Sequence, residues 1–223
     1  MAIEPLRGRS EVPFVACIPG SKSMTNRALL LAAMRPGTTR IQGGLHAEDT
    51  LRLAAALGSF GGLRVDAVAD GFVVERSSGT LRAPTNALDL GGSGTGARFL
   101  LAFAALAEGA TVLSGDARLR ERPMGDVLAA LSAIGIRVEC LGAAGCLPVR
   151  IHGGLPRTRQ WSVAAQTSSQ FASALLLLAS QCEGAPIELA LTDAPVSEPY
   201  IAMTCAMLRQ CGIDRKSTRL NSS

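Results

Sequence analysis

Three stretches of this chain change abruptly from small polar residues to long apolar runs. They are S-K-S-M-T-N-R-A-L-L-L-A-A-M at 21–34, G-S-G-T-G-A-R-F-L-L-A-F-A-A-L at 92–106 and T-S-S-Q-F-A-S-A-L-L-L-L-A-S at 167–180. Each is long enough for a helix and apolar nearly all round, which predicts a buried helix entered through a Ser/Thr/Gly-rich loop. Ser23, Ser93 and Ser168 occupy comparable places in the three, 70 and 75 residues apart. A second helix follows each time, over 48–60, 123–134 and 199–211, with Pro123 and Pro199 in first-turn positions where a missing N–H costs little. Strand-like runs lie between the helices at 38–41, 111–113 and 187–191. Alternating runs follow the second helix at 63–68 with 72–75, and at 136–140 with 148–151. Each unit reads as helix, strand, helix, strand, strand. Three such units predict an α/β domain with helices inside and sheets outside, or a layered equivalent, between which the pattern does not choose.

Buried first helices would bring three N-termini to one edge of the core, with unpaired N–H groups and positive dipole ends that suit anions, phosphate above all. The residues at those starts match that chemistry. Lys22, Ser23 and Arg27 open the first helix. Lys22-Ser23 fails as the end of a P-loop, because Ser21 precedes the lysine and Ala16 replaces the earlier glycine. Taken alone, Lys22 reads as a solvated loop lysine and Arg27 as a snorkelling arginine. At the second start, Gly91 to Gly96 lets backbone approach a ligand. It also satisfies G-x-G-x-x-A at Gly92, Gly94 and Ala97, which keeps a Rossmann-like dinucleotide-binding module open. The basic set Arg98, Arg118, Arg120 and Arg122 suits a smaller, denser anion, and L-R-E-R-P at 119–123 reads as an anion clamp. At the third start, Ser168, Ser169 and Gln170 offer neutral donors and acceptors for a hydroxyl-rich ligand, or plain capping. Ser197 and Tyr200 repeat that theme at a later helix start.

Composition narrows the classes. With 48% hydrophobic and 18% charged residues the chain can bury a substantial core. Its apolar runs are too short to cross a bilayer, and charges at Glu4, Arg7, Arg9 and Glu11 interrupt any signal-peptide core, so a cytoplasmic protein without membrane partners is expected. No basic block with interleaved aromatics suggests nucleic acid. Six cysteines without a C-x-x-C pair and only two histidines, His46 and His152, argue against a metal site. Ten residues stand apart. After Gly212-Ile213, where a third strand is due, D-R-K-S-T-R-L-N-S-S follows at 214–223 and resembles a common sequencing adapter translated in frame. The expectation is a native sequence over 1–213 and a non-native tail. Of the net charge of +4, the tail carries +2, so residues 1–213 hold only +2.

P-G-S-K-S-M-T-N-R-A-L-L-L-A-A, L-G-G-S-G-T-G-A-R-F-L, R-L-R-E-R-P-M-G, S-S-Q-F-A-S-A-L-L and S-E-P-Y-I-A-M-T, in this order and spacing, resemble the 5-enolpyruvylshikimate-3-phosphate synthase family. The sister family acting on UDP-N-acetylglucosamine shares the architecture but lacks the S-K-S-x-T-N-R opening. The resemblance covers about residues 2–213. It implies an enolpyruvyl-transferase-type α/β domain, an inverse α/β barrel, that joins phosphoenolpyruvate to the 5-hydroxyl of shikimate 3-phosphate without metal or other cofactor. By this resemblance Lys22, Gly94 and Arg122 hold phosphoenolpyruvate. Ser23, Arg27, Ser168, Ser169, Gln170 and Ser197 hold shikimate 3-phosphate, with Tyr200 beside them. Gly92 stands where the family usually has Asn, so a polar contact near phosphoenolpyruvate is either missing or supplied by Ser93. The family has two similar domains. The resemblance assigns 18–213 to the first, 1–17 to a segment that pairs with the second, and most proton-transfer groups to that absent half. This chain alone is therefore expected to be inactive.

Overall fold

The computed structural model describes residues 20–213. The expected crossing segment at 1–17 and the tail at 214–223 lie outside them. Helix α1 (Lys22–Met34) leads to strand β1 (Gly37–Gln42), helix α2 (Glu48–Gly58) and the hairpin β2 (Leu63–Val68) and β3 (Gly71–Arg76). The sheet order is β1-β3-β2, so the last strand inserts antiparallel between the other two. The reason lies in the side chains of β3. Phe72 and Val74 are buried and face the α1 side, while β1 and β2 expose much of their length.

The second segment follows the same path. A two-residue strand β4 (Leu88–Asp89) precedes α3 (Gly94–Phe103), which tightens into a 3-10 turn at Ala104–Leu106. Then come β5 (Ala110–Ser114), the single turn α4 (Ala117–Arg120), α5 (Gly125–Ala133), β6 (Val138–Cys140) and β7 (Val149–His152). Here the order is β4-β5-β7-β6, with β7 antiparallel between β5 and β6, just as β3 lies between β1 and β2. The third segment has β8 (Gln160–Val163), α6 (Ser169–Ala179), β9 (Glu188–Leu191) and α7 (Glu198–Gln210), with β8 parallel to β9.

Strands β4 and β8 are additions to the expected pattern. β4 is only two residues long, and β8 alternates Trp161 and Val163 inward with Gln160 and Ser162 outward. Each pairs in parallel with the strand that follows the next helix. Two further expectations shift. Pro123 lies before α5 rather than in its first turn, and the expected clamp at 119–123 overlaps α4.

α3 sits at the centre and packs against α1, α2, α5 and α6. All but two residues of α3 and all but two of α6 are buried, which agrees with their nearly continuous apolar sequence. Phe103 meets Phe60 edge to face at 5.1 Å, both fully buried. The three sheets lie outside this helical core, with their exposed positions facing away from it.

Candidate functional site

The starts of α1, α2, α3 and α6 meet at one edge of the helical core. α1 begins after Ser21, whose hydroxyl accepts from the Met24 N–H. Gly20 lets this start lie against the loop before α2, because a Cβ there would stand 2.2 Å from the Gly43 carbonyl oxygen. Thr25 ties the same loop from inside the helix, its hydroxyl accepting from the Leu45 N–H at 3.0 Å. The first residue of α1, Lys22, reaches the first turn of α2 and pairs with Asp49 at 2.6 Å, its side chain half exposed. Ser93, capping α3, is almost completely buried and donates to the Asp49 carbonyl at 3.3 Å. Gln170, in the first turn of α6, donates to Thr95 Oγ1 of α3 at 3.0 Å and accepts from Arg98 Nη1 at 2.9 Å. Helix starts rich in unsatisfied N–H groups thus converge with three cationic side chains, Lys22, Arg98 and Arg122.

The two arginines are crowded. A Cβ on Gly94 would lie 2.5 Å from Arg122 Nη1, so the guanidinium rests directly over the first residue of α3. Only a residue without a side chain leaves that place to the arginine. Arg98 stacks over the Phe171 ring at 5.3 Å, and its Nε finds no acceptor among the described residues. Burial and the nearby Arg122 charge push its guanidinium pKa down. Two cations held close together with so little local compensation favour an arriving anion.

Arg27, one turn into α1, is not a snorkelling residue. It is 1% exposed, and its Nε donates to Thr204 Oγ1 at 2.7 Å. Nη2 donates to Ser173 Oγ and to the Tyr200 carbonyl, each at 3.1 Å, while Nη1 donates to the Ser23 carbonyl at 2.9 Å. Phe99 and Tyr200 present their rings to it at 5.1 and 5.9 Å. Burial lowers its pKa to about 10, opposed in part by Tyr200, so it stays charged at neutral pH.

The other expected residues lie around this edge. Ser168 and Ser169 are buried at the start of α6, with Ser168 Oγ accepting from the Gln170 N–H at 3.2 Å. Ser197 caps α7 without a side-chain capping bond, and Tyr200 is 42% exposed. Hydrogen bonds from Arg27 link α1 to α6 and α7, and Gln170 links α6 to α3, so these helices form one connected edge. Within the expected basic set, Arg120 donates instead to the Gly115 carbonyl at 2.7 Å, which leaves Arg122 as the clamp member over Gly94. Ser93 turns its hydroxyl inward to Asp49, while Gly92 stands exposed beside Asp116. Ser173, Thr204, Thr95 and Asp49 were not expected. Ser173 and Thr204 had a signal: each is a hydroxyl in an otherwise apolar helical stretch.

Neither histidine ring turns into this edge. His46 faces the Gly71 carbonyl and the Phe72 ring, and His152 pairs with Glu139 on the outer sheet. Parallel pairing at β4 covers two residues and gives way to an antiparallel neighbour, unlike the extended parallel sheet of a dinucleotide-binding fold. Among the described residues no helix is long and apolar enough to cross a membrane.

The family model for EPSP synthase (3-phosphoshikimate 1-carboxyvinyltransferase) matches residues 7–220. A 3-phosphoshikimate 1-carboxyvinyltransferase of Methanospirillum hungatei JF-1 is 39% identical over 203 residues, covering 91% of this chain and 46% of that protein. Two solved structures of EPSP synthase from Acinetobacter baumannii superpose with a TM-score of 0.76 at 30% identity, over 90% of this chain and 44% of theirs. The chain thus spans about half the length of the relatives it matches, and neither the dinucleotide-binding reading nor the UDP-N-acetylglucosamine reading is favoured by them.

Proposed function

This chain belongs to the EPSP synthase family, and on that premise we propose that its helix-start edge is one half of a site for enolpyruvyl transfer from phosphoenolpyruvate to shikimate 3-phosphate. The observation that carries this reading is the convergence of Lys22, Arg98 and Arg122 with the starts of α1, α3 and α6. In the reaction, a proton adds to the enol methylene carbon while the 5-oxygen of shikimate 3-phosphate bonds to the enol carbon and loses its proton. Phosphate then leaves and the methyl group gives up a proton, restoring the enolpyruvyl double bond.

Lys22, Arg122 and the backbone N–H of Gly94 serve the compact phosphoenolpyruvate, which carries a carboxylate and a phosphate. Cations and a helix start stabilise its phosphate and the charge that gathers there as it departs. Ser23, Ser168, Ser169, Gln170 and Ser197 serve the hydroxyls and phosphate of shikimate 3-phosphate, Arg27 supplies a fixed charge, and Tyr200 offers a ring face. The groups that move protons come from a second domain of the same kind, whose closure completes the site and excludes water. The chain by itself is a binding half without turnover, working in the cytoplasm on small-molecule substrates.

Calorimetric titration of the 223-residue chain with shikimate 3-phosphate and with phosphoenolpyruvate tests this reading, beside a turnover assay with both. Weak binding of both and no product are expected. Product formed by this chain alone would overturn the division of labour, and absence of any binding would overturn the site.

A further inference from the structure

We propose that Thr204 and Ser173 are positioning residues that hold the Arg27 guanidinium in one orientation and leave a single N–H for the ligand. This proposal rests on the reading of the edge as a shikimate 3-phosphate site. A guanidinium has five N–H groups in a rigid plane. Four of those of Arg27 are engaged: one by Thr204, one by Ser173, one by the Tyr200 carbonyl and one by the Ser23 carbonyl. Among the described residues the fifth, on Nη1, is the one that remains.

Every acceptor in this set is neutral. The bracket therefore satisfies the buried charge with hydrogen bonds and aromatic faces without cancelling it. Thr204 and Ser173 are both 0% exposed and lie 2.9 Å apart, so they support each other as well as the arginine. The hydroxyl protons have a consistent placement. Thr204 donates to the Tyr200 carbonyl one turn earlier, at 3.0 Å, Ser173 donates to Thr204, and the arginine donates to both oxygens. The three residues come from α1, α6 and α7 and fix the relative placement of those helices at the edge where the ligand binds.

Such a bracket makes Arg27 a preset charge with one directional bond, where the sequence alone reads as a snorkelling side chain. Pre-setting removes the ordering cost of a long side chain at the moment of binding. Removal of the Thr204 hydroxyl releases Nε and lets the plane rotate. Its loss is expected to weaken shikimate 3-phosphate binding while phosphoenolpyruvate, held through Lys22 and Arg122, is bound as before.

The test uses the full chain with Thr204→Val, nearly isosteric, Thr204→Ser as the conservative rescue, and Ser173→Ala. Two readouts are taken. The first is hydrogen exchange at the Arg27 Nε–H by nitrogen-15 NMR, assigned by loss of the signal in Arg27→Lys. The second is calorimetric affinity for both substrates. Thr204→Val is expected to speed Nε–H exchange and weaken shikimate 3-phosphate binding roughly tenfold, the loss of one charge-assisted hydrogen bond. Thr204→Ser should match the original chain within about twofold, and Ser173→Ala should fall between them. Unchanged Nε–H exchange in Thr204→Val overturns the proposal whatever happens to affinity. Faster exchange with undiminished affinity overturns the link to the ligand. If the unaltered chain binds no shikimate 3-phosphate yet Thr204→Val still exposes the Nε–H, the bracket stands and the substrate reading falls.

Discussion

Two arginine clusters in this molecule are built on opposite principles. On the outer sheet, Glu139 of β6 accepts from Arg150 at 2.9 Å and from Arg137 at 2.5 Å, and pairs with His152 at 2.9 Å. There a carboxylate meets its cations at a solvated surface, and the hydrogen bonds from Arg150 and then His152 draw its pKa down to about 2. At the helix-start edge, Arg27 meets, among the described residues, hydroxyls, carbonyls and ring faces and no carboxylate. The first arrangement consumes its charge locally. The second holds a charge in place and leaves it to act on something else. Geometry that looks similar in a contact list therefore points to structure in one case and to recognition in the other.

Arg27→Ala should break the contrast most severely. It removes the ring contacts and four hydrogen bonds and leaves a void among α1, α3, α6 and α7, a loss of about 3 kcal/mol in urea unfolding. Shikimate 3-phosphate binding should disappear with it. Lys22→Met sharpens the comparison from the other side. The Lys22–Asp49 pair is half exposed, so unfolding should change by about 0.5 kcal/mol or less, while phosphoenolpyruvate affinity falls severalfold. A titration of both variants with both ligands separates the two roles.

The smallest effect belongs to Glu139→Gln. Because the folded-state pKa is depressed from 4.5 to about 2, the carboxylate contributes stability that is present above 4.5 and lost as pH falls through that window. Thermal unfolding between pH 7 and pH 2 should show Glu139→Gln slightly less stable than the original chain at pH 7 and converging with it toward pH 2, hence a shallower acid decline, with ligand binding unaltered. A ligand-binding defect in this variant would dissolve the distinction between the clusters.

The helices were legible in the sequence because an all-round apolar run leaves a segment little choice but burial, as with L-L-L-A-A-M of α1 and A-L-L-L-L-A of α6. The outer hairpin strands were legible from alternation, and β2 matches its expected bounds throughout. β4 escaped because two residues carry no period, and β8 because its partner β9 lies beyond an intervening helix. Within the proposed site, Lys22, Gly94, Arg122 and Gln170 follow from loop chemistry and family likeness, and the structure brings their helix starts together. The environment of Arg27 could not. Its acceptors lie 146 and 177 residues away, and nothing local distinguishes an arginine that snorkels from one that is enclosed. Asp49 escaped for a related reason, since a first-turn aspartate is what any helix start favours.

Gly94 carries a consequence for how this edge can evolve. One added methyl there meets the far end of a flexible arginine side chain and no backbone, and alanine suits a helix better than glycine does. The fold can absorb the change by displacing the Arg122 guanidinium. A single-step substitution thus re-aims a charge at almost no expense to folding, which makes this position a place where selection can adjust anion preference without first having to repair the protein.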